Sequence, residues 1–477
     1  MLRPLNEESV LFLHVLRWLV LASVVGLLVG LTTTGFIQAL TILMQWVETR
    51  SWGVWLLPLG LCLSGWLTTR VVPEAGGQGL ERVVRAIHLH SGKITWQVIP
   101  TKIAATLLTL ATGGSAGNVG PCVQIGSGLA AVIADYLRFD SAERKTLVIC
   151  GLSAGFAAVF GAPMAGALFG MEALFVGSLA YKVLFPSAIA SVVGYLVAVW
   201  AGIPSMNFQA HAFPDFDGSL LLLAVAGGFV FGFLALVFIE CLNGVQRFSD
   251  SLPSSVLLQG LLGGGLVLCV GYLVSFEVLG LGTATIQQAL QGNPFLWSVF
   301  LGKMVTTSLT LRFGGSGGII LPICFVGATG GAVLGGLLNQ DPSLFAALGL
   351  AGLLAGAINT PITAIILGLE LFGLSSGPYL LLTCTVAFLL SGHRSAIPTQ
   401  LLQLQKAPAL QAGINQEIGI GSFGKKLWQE STYSSLWNWP EKMKKGLFPG
   451  HRNRTVAKTP TDQPPKSPDE HDRSSHP

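Results

Sequence analysis

The sequence predicts an all-α polytopic membrane protein made of two related halves whose membrane helices are broken by glycine and proline. Three observations carry that expectation: hydropathy, a gap-free internal repeat, and turn chemistry placed where hydropathy demands membrane. Of 477 residues, 51% are hydrophobic and 10% charged, whereas a soluble domain carries about 25% charged residues. Uncharged windows run from Trp18 to Val47, Ser51 to Thr69, Ile103 to Ala134, Thr146 to Met171, Val183 to Pro214, Gly218 to Ile239, Leu252 to Phe276, Val278 to Gly302, Phe313 to Gln340 and Pro342 to Leu369. Most exceed the ~20 residues that a helix needs to cross a bilayer. The first is too long for a signal-peptide core and no small-residue cleavage site follows it, so it reads as a transmembrane helix.

The repeat comes next. The stretch KIAATLLTLATGGSAGNVGP (102 to 121) matches KMVTTSLTLRFGGSGGIILP (303 to 322), with Lys102 opposite Lys303, Thr106 opposite Thr307, Thr109 opposite Thr310, Ser115 opposite Ser316, Gly117 opposite Gly318 and Pro121 opposite Pro322, every pair 201 apart. A second pair follows, APMAGALFGMEALF (162 to 175) and TPITAIILGLELF (360 to 372), in which Pro163 and Pro361, Gly170 and Gly368, and Glu172 and Glu370 are 198 apart. The first half is expected to span 1 to 215 and the second 216 to 410. Paired apolar segments interrupted by glycine and proline are the mark of transporter-type folds, with the binding site between the repeats.

The interruptions have a chemical use. Non-helical backbone inside a bilayer must be buried in protein or line a wet cavity. Glycine permits the turn, and proline suits the first turn of the helix that follows. Each break then aims helix N-terminal N–H groups, with about half a positive charge, at one place. GAP at 161 to 163 and NTP at 359 to 361 read as two more helix starts, so four positive ends are expected to converge on an anion. A cation site would need carboxylates or carbonyls, and 113 to 121 and 314 to 322 hold no acid. Close helix packing accounts for the glycines as a whole, but not for their clustering with asparagine and proline at repeat-matched positions.

Cysteines 62, 122, 150, 241, 269, 324 and 384 all lie in or beside apolar segments, with no CxxC pair, and read as core residues rather than metal ligands. Neither metal nor cofactor is expected. Residues 425 to 477 hold ten Lys/Arg against six acids, which equals the whole net charge of +4. This segment, 411 to 477, is too polar and proline-rich to form a core and is expected to be a disordered tail. Its basic excess predicts a cytoplasmic position, as a solubilising extension or a contact with the membrane surface. It leaves no room for a folded soluble domain.

At these residues the chain resembles the CLC family of chloride channels and chloride/proton antiporters. GGQGLERVVRAIH (76 to 88) is similar to the family's GSGIP-type segment, GNVGPCVQIGSG (117 to 128) to GREGP, and GGIILP (317 to 322) to GIFAP. GLSAGFAAVFGAPMAGALFGMEAL (151 to 174), NTPITAIILGLEL (359 to 371) and HRSAIPTQL (393 to 401) complete a match over roughly residues 10 to 405. The resemblance implies a CLC-type inverted repeat of tilted helices, and a homodimer in the plasma (inner) membrane with one anion pore per subunit. It implies a central anion on the amides of Gly318, Ile319 and Ile320, and an outer one on those of Asn118, Val119 and Gly120.

Four departures bear on mechanism. The gating glutamate of GREGP falls at Val119, and the inner proton-relay glutamate at Ala173, beside Glu172. The serine that touches the anion falls at Gln78, and the pore tyrosine at Ile397. Intramembrane proton transfer needs an ionisable side chain, which neither Val119 nor Ala173 offers. The expected function is passive permeation of chloride or a similar small anion across the lipid bilayer, with no enzymatic activity. Gln78 supplies an amide NH2 in place of the serine donor and narrows the path, while Ile397 dries the inner mouth.

Two rivals belong to other mechanisms. GGSAG (113 to 117), GLSAG (151 to 155) and GGSGG (314 to 318) satisfy G-x-S-x-G, but a serine nucleophile needs a basic partner, and only His211 falls in an uncharged window. A proton-coupled exchanger would have to use Glu172, Glu370, Glu81 or His393. The two glutamates, being repeat-related, more naturally satisfy neighbouring helix ends. Lys102 and Lys303 either raise the potential for anions or tie segments together, and the second reading is favoured.

Overall fold

The computed structural model describes residues 3–406, other than 51, 203–205, 207, 209 and 253–254, together with residue 417. Among them the α-helices follow in order: α1 (Arg3–Glu48), α2 (Leu57–Trp66), α3 (Gly79–Leu89), α4 (Val98–Ala111), α5 (Val119–Tyr136), α6 (Ser141–Phe160), α7 (Pro163–Glu172), α8 (Leu184–Trp200), α9 (Gly218–Asp250), α10 (Val256–Leu273), α11 (Thr283–Leu290), α12 (Trp297–Arg312), α13 (Ile320–Leu337), α14 (Pro342–Ile358), α15 (Pro361–Phe372) and α16 (Gly377–Leu390). Two short strands, β1 (Phe175–Val176) and β2 (Leu401–Leu402), pair in parallel. Apart from residue 417, the tail expected from 411 to 477 lies outside the described residues.

Among the described residues six spans are long and apolar enough to cross a membrane: Glu7–Glu48, Gly53–Val71, Tyr181–Trp200, Gly218–Asp250, Val256–Leu273 and Ile320–Leu337. Several uncharged windows divide into two shorter helices instead. Thr146 to Met171 is divided between α6 and α7 at Gly161, with φ 70°. Pro342 to Leu369 is divided between α14 and α15 at Asn359, with φ 57°. Glycine and asparagine are the residues that tolerate this left-handed conformation, and in each case a proline starts the next helix two residues later.

The repeat is visible as matched helix starts, α5 with α13 and α7 with α15. In each half the two inner helices pack glycine on glycine. A Cβ on Gly126 would stand 2.5 Å from the Gly151 carbonyl between α5 and α6, and one on Gly327 would stand 2.2 Å from the Gly349 carbonyl between α13 and α14. Small residues let membrane helices approach closely where no hydrophobic force draws them together. Apolar side chains such as Leu11, Phe12, Leu222, Phe233 and Leu257 remain exposed on the outer helices, as lipid contact requires. Of the cysteines, Cys62, Cys122, Cys150, Cys324 and Cys384 are buried as expected, whereas Cys269 is exposed on α10 and Cys241 lies between.

The halves satisfy one another's polar groups. Glu172, at the end of α7, accepts hydrogen bonds from the N–H groups of Ile362 (3.0 Å) and Thr363 (2.7 Å) and from the Thr363 hydroxyl (2.7 Å), all in the first turn of α15. Glu370, on α15, returns the arrangement by accepting from Met164 and Ala165 in the first turn of α7, each at 2.8 Å. The expectation that four helix starts face an anion is thereby corrected. The starts of α7 and α15 carry carboxylates supplied by the protein itself, for the electrostatic reason that would otherwise draw an anion.

Lys102 and Lys303 form a second repeat-related pair, each fully buried and each bonded within its own half. The Lys102 ammonium donates to the carbonyls of Ala75 (3.2 Å) and Gly77 (2.8 Å). Lys303 does the same to Val278 (3.2 Å) and Gly280 (2.8 Å). Each lysine fixes the loop that leads into a short helix, α3 and α11 respectively, as the structural reading expected.

Replacing Glu370 with alanine leaves two first-turn N–H groups of α7 without an acceptor. The expected cost is about 1–3 kcal/mol, read as a lowered midpoint of thermal unfolding in detergent, with Glu370→Gln losing less because one acceptor oxygen remains.

Candidate anion-binding site

The site is built from the two breaks. After α4 the chain turns at Gly113 and after α12 at Gly314, both with φ 96°, and Gly114 and Gly315 hydrogen-bond back to the carbonyls of Thr109 (2.8 Å) and Thr310 (2.9 Å). The breaks then pair across the repeat: Gly117 N–H donates to the Gly318 carbonyl at 2.8 Å, and Gly318 N–H to the Gly117 carbonyl at 2.7 Å.

Buried hydroxyls lock this pairing, again by exchange. The Ser115 amide donates to the Thr310 hydroxyl (3.1 Å) and the Ser316 amide to that of Thr109 (3.0 Å). The Ser115 hydroxyl bonds that of Thr307 (2.9 Å), and the Ser316 hydroxyl that of Thr106 (3.3 Å). Every residue of this lattice was a repeat match in the sequence. Its chemistry explains why serine and threonine recur there, since an unpartnered buried amide or hydroxyl costs more than the bond gains.

Three helix starts meet at this junction, those of α3, α5 and α13. A Cβ on Gly79 would stand 2.2 Å from the Gly120 carbonyl, and one on Gly120 would stand 2.7 Å from the Gly318 Cα. The backbones therefore touch, and glycine is the residue that allows it. Among the described residues, the N–H groups of Val119, Gly120, Ile319 and Ile320 have no carbonyl partner, as expected of first-turn groups. Gly318 is corrected: its N–H is spent on Gly117 and serves the pairing, not a ligand. Two side-chain amides stand at the same place, and the oxygens of Gln78 and Asn118 are buried without a partner. Turned end for end, each amide offers NH2 donors to a negative ion. The acid in the first turn of α3, Glu81, is engaged by Arg85, and among the described residues no carboxylate accepts from the free N–H groups.

Val119, Ile319 and Ile320, at the junction, are fully buried, and so is Ile397. Ile397 belongs to segment 395–400, whose anchor sequence reasoning did not identify. Gln400, fully buried, donates to the carbonyls of Ala173 (3.0 Å) and Ile358 (2.9 Å) and accepts from the Ser395 hydroxyl (2.6 Å). Ser395 in turn accepts from the Ile397 N–H at 3.0 Å. The signal lay in PTQ, a polar residue after proline beside an apolar strand. Ala173, where the relay glutamate was expected, thus holds this segment through its carbonyl. A polar cavity of about 410 Å³ reaches Gln78 and Ala396 and opens past Arg82, Arg85, Asn243, Gln246 and Arg312.

The remaining candidates fall elsewhere. The hydroxyls of Ser115 and Ser316 are bonded to threonines, and His211 pairs with Asp341 at 2.8 Å. Glu81 pairs with Arg85 at 3.1 Å, and His393 accepts from the Lys406 N–H at 3.0 Å. Among the described residues no group of histidine, cysteine and acidic side chains is arranged to hold a metal.

A polytopic fold with helix-start N–H groups that no carboxylate occupies is the arrangement of an anion-transporting membrane protein, and the comparisons agree. The model of the voltage gated chloride channel family matches residues 60–392. A chloride/fluoride channel protein of Pseudomonas syringae pv. tomato is 32% identical, over 81% of this chain and 87% of its own length. The H(+)/Cl(-) exchange transporter ClcA of Salmonella paratyphi B is 30% identical, over 84% and 92%. A solved CLC-type fluoride/proton antiporter superposes with a TM-score of 0.77 at 27% identity, over 81% of this chain and 98% of that one. The chain belongs to the CLC family.

Gly120→Ala tests the junction. The added methyl meets backbone rather than a movable side chain, so the expected cost is about 1–3 kcal/mol or more of strain, seen as a lower unfolding temperature and loss of anion flux together.

Proposed function

We propose that the protein lets small halide anions pass down their gradient through this junction, one pore in each subunit of a homodimer in the plasma (inner) membrane, with no proton exchanged. The observation that carries the reading is the meeting of three helix starts with two side-chain amides whose oxygens lack a partner, with no carboxylate accepting from the free N–H groups among the described residues. Neutral donors and partial helix charges hold an anion weakly enough for it to leave. The usual means of coupling is missing, since Val119 and Ala173 neither bind nor release protons.

The names of the relatives point both ways, toward a channel in one and proton exchange in two. Against exchange here stand the partners of every ionisable candidate: Glu172 and Glu370 close helix ends, Glu81 holds Arg85, and His393 accepts from Lys406. The relatives also bring fluoride beside chloride as a substrate. A junction of N–H donors suits both ions, and the smaller one gains more from close donors but loses more hydration on entry.

The test is efflux of chloride and of fluoride from proteoliposomes with proton movement recorded in parallel. Halide efflux without proton flux is expected, and uphill proton movement driven by either halide would sink the passive reading. In Val119→Glu the carboxylate should occupy the helix starts as a competing anion when ionised, so flux is expected to rise as pH falls through its titration and the wild type to lack this dependence.

A further inference from the structure

The polar cavity in front of Gln78 contains three arginines whose circumstances differ. Arg85 is paired with Glu81 at 3.1 Å and Arg312 with Asp250 at 2.6 Å. Arg82 has no acidic partner among the described residues, and its one recorded side-chain bond is from Nε to the Gly76 carbonyl, at 3.2 Å. That bond leaves the terminal nitrogens of the guanidinium unspent. The backbone adds a position. The Arg82 N–H reaches the Gln78 carbonyl (3.4 Å) across the first turn of α3, so Arg82 stands one helical turn from the amide at the end of the path, on the same face. Its guanidinium lines the cavity and is held on the loop at Gly76 that leads into α3. The other acids on this cavity are Glu81, already engaged by Arg85, and Glu417, which is exposed.

We propose that Arg82 recruits the anion: its uncompensated guanidinium raises the local concentration of halide in the cavity and passes the ion to Gln78. A cavity with low-dielectric walls focuses the field of one charge and concentrates ions of the opposite sign. A guanidinium suits the task because it is weakly hydrated and always charged. It is also part-exposed and lines a polar cavity, so water screens it and it attracts without trapping. Release is left to the neutral junction.

The inference rests on passive permeation for its flux readout, so two measurements are made. The first is halide efflux, chloride and fluoride each, from proteoliposomes at ionic strengths of about 0.02 M and about 0.5 M, the second set with sodium gluconate, since charge effects across a cavity are screened at the higher value. Arg82→Gln is expected to raise the half-saturating halide concentration at least about threefold at low ionic strength and hardly at all at high, with maximal flux retained, while Arg82→Lys stays near the wild type. An Arg82→Gln protein indistinguishable from wild type at low ionic strength overturns the proposal. So does an equal loss at both ionic strengths, which is what a role confined to tying down Gly76 would give. Arg82→Met, which keeps the aliphatic stem, is run beside it in case the glutamine variant does not fold.

The second measurement is calorimetric titration of the purified protein with sodium chloride and with sodium fluoride at low ionic strength. It needs no conduction, so a wild type that binds but does not leak would fell the passive reading alone. Weaker binding in Arg82→Gln still supports Arg82 there, and unchanged binding overturns it.

Discussion

The contact of three helix starts through glycine is the constraint on which the rest of the molecule depends. Positive helix ends repel, and each carries N–H groups that want an acceptor. Bringing those of α3, α5 and α13 to within backbone contact is therefore unfavourable in itself. It is made tolerable by three devices: glycines 79, 120 and 318 remove the steric bar, the Gly117–Gly318 bonds and the hydroxyl lattice hold the breaks together, and, on the proposed function, a small anion neutralises the N–H groups that are left over. A carboxylate in the junction would relieve the repulsion permanently. The chain puts its intramembrane carboxylates elsewhere.

Where it puts them shows how the halves depend on each other. Glu172 and Glu370 occupy the starts of α15 and α7, so two of the four repeat-related starts are neutralised by the protein and the other two receive no carboxylate among the described residues. The same exchange recurs in the hydroxyl lattice, where Thr109 and Thr310 each cap the opposite break. Neither half can close its own breaks, so the repeat amounts to one interlocked unit. Lys102 and Lys303 are the exception, each bonded within its own half.

Much of this was legible in the sequence because the exchange forces both halves to keep the same residue types. The constant offset of 201 picked out Thr106, Thr109, Ser115, Gly117 and their mates before any contact was known, and all of them prove to be members of the junction. The helix starts were legible too, from proline following glycine or asparagine. What was not legible is which starts are already occupied. A glutamate nine residues past a proline reveals nothing about the helix it reaches, because the reach is across the pseudo-symmetry and not along the chain. Gly318 was misplaced for a related reason: an N–H at a break looks the same in sequence whether a carbonyl or an ion receives it. The anchoring role of Gln400 depends on contacts with Ala173 and Ile358 from two distant helices, and no spacing encodes that.

The proposed path also sets how an ion would move. Val119 and Ile397 are both fully buried, so an anion that leaves the polar cavity at Gln78 for the junction sheds water before it meets the amides, and recovers only what neutral donors return. A tightly binding site would compensate the dehydration and then hold the ion; a site with no donors would never admit it. Partial helix charges lie between these limits, and unlike a lysine or arginine in the same place they neither titrate nor swing away. With Arg82 recruiting the anion as proposed, the tasks separate: full charge in the polar cavity, where water screens it and release is easy, and partial charge at the junction, where water is scarce and a full charge would trap the ion.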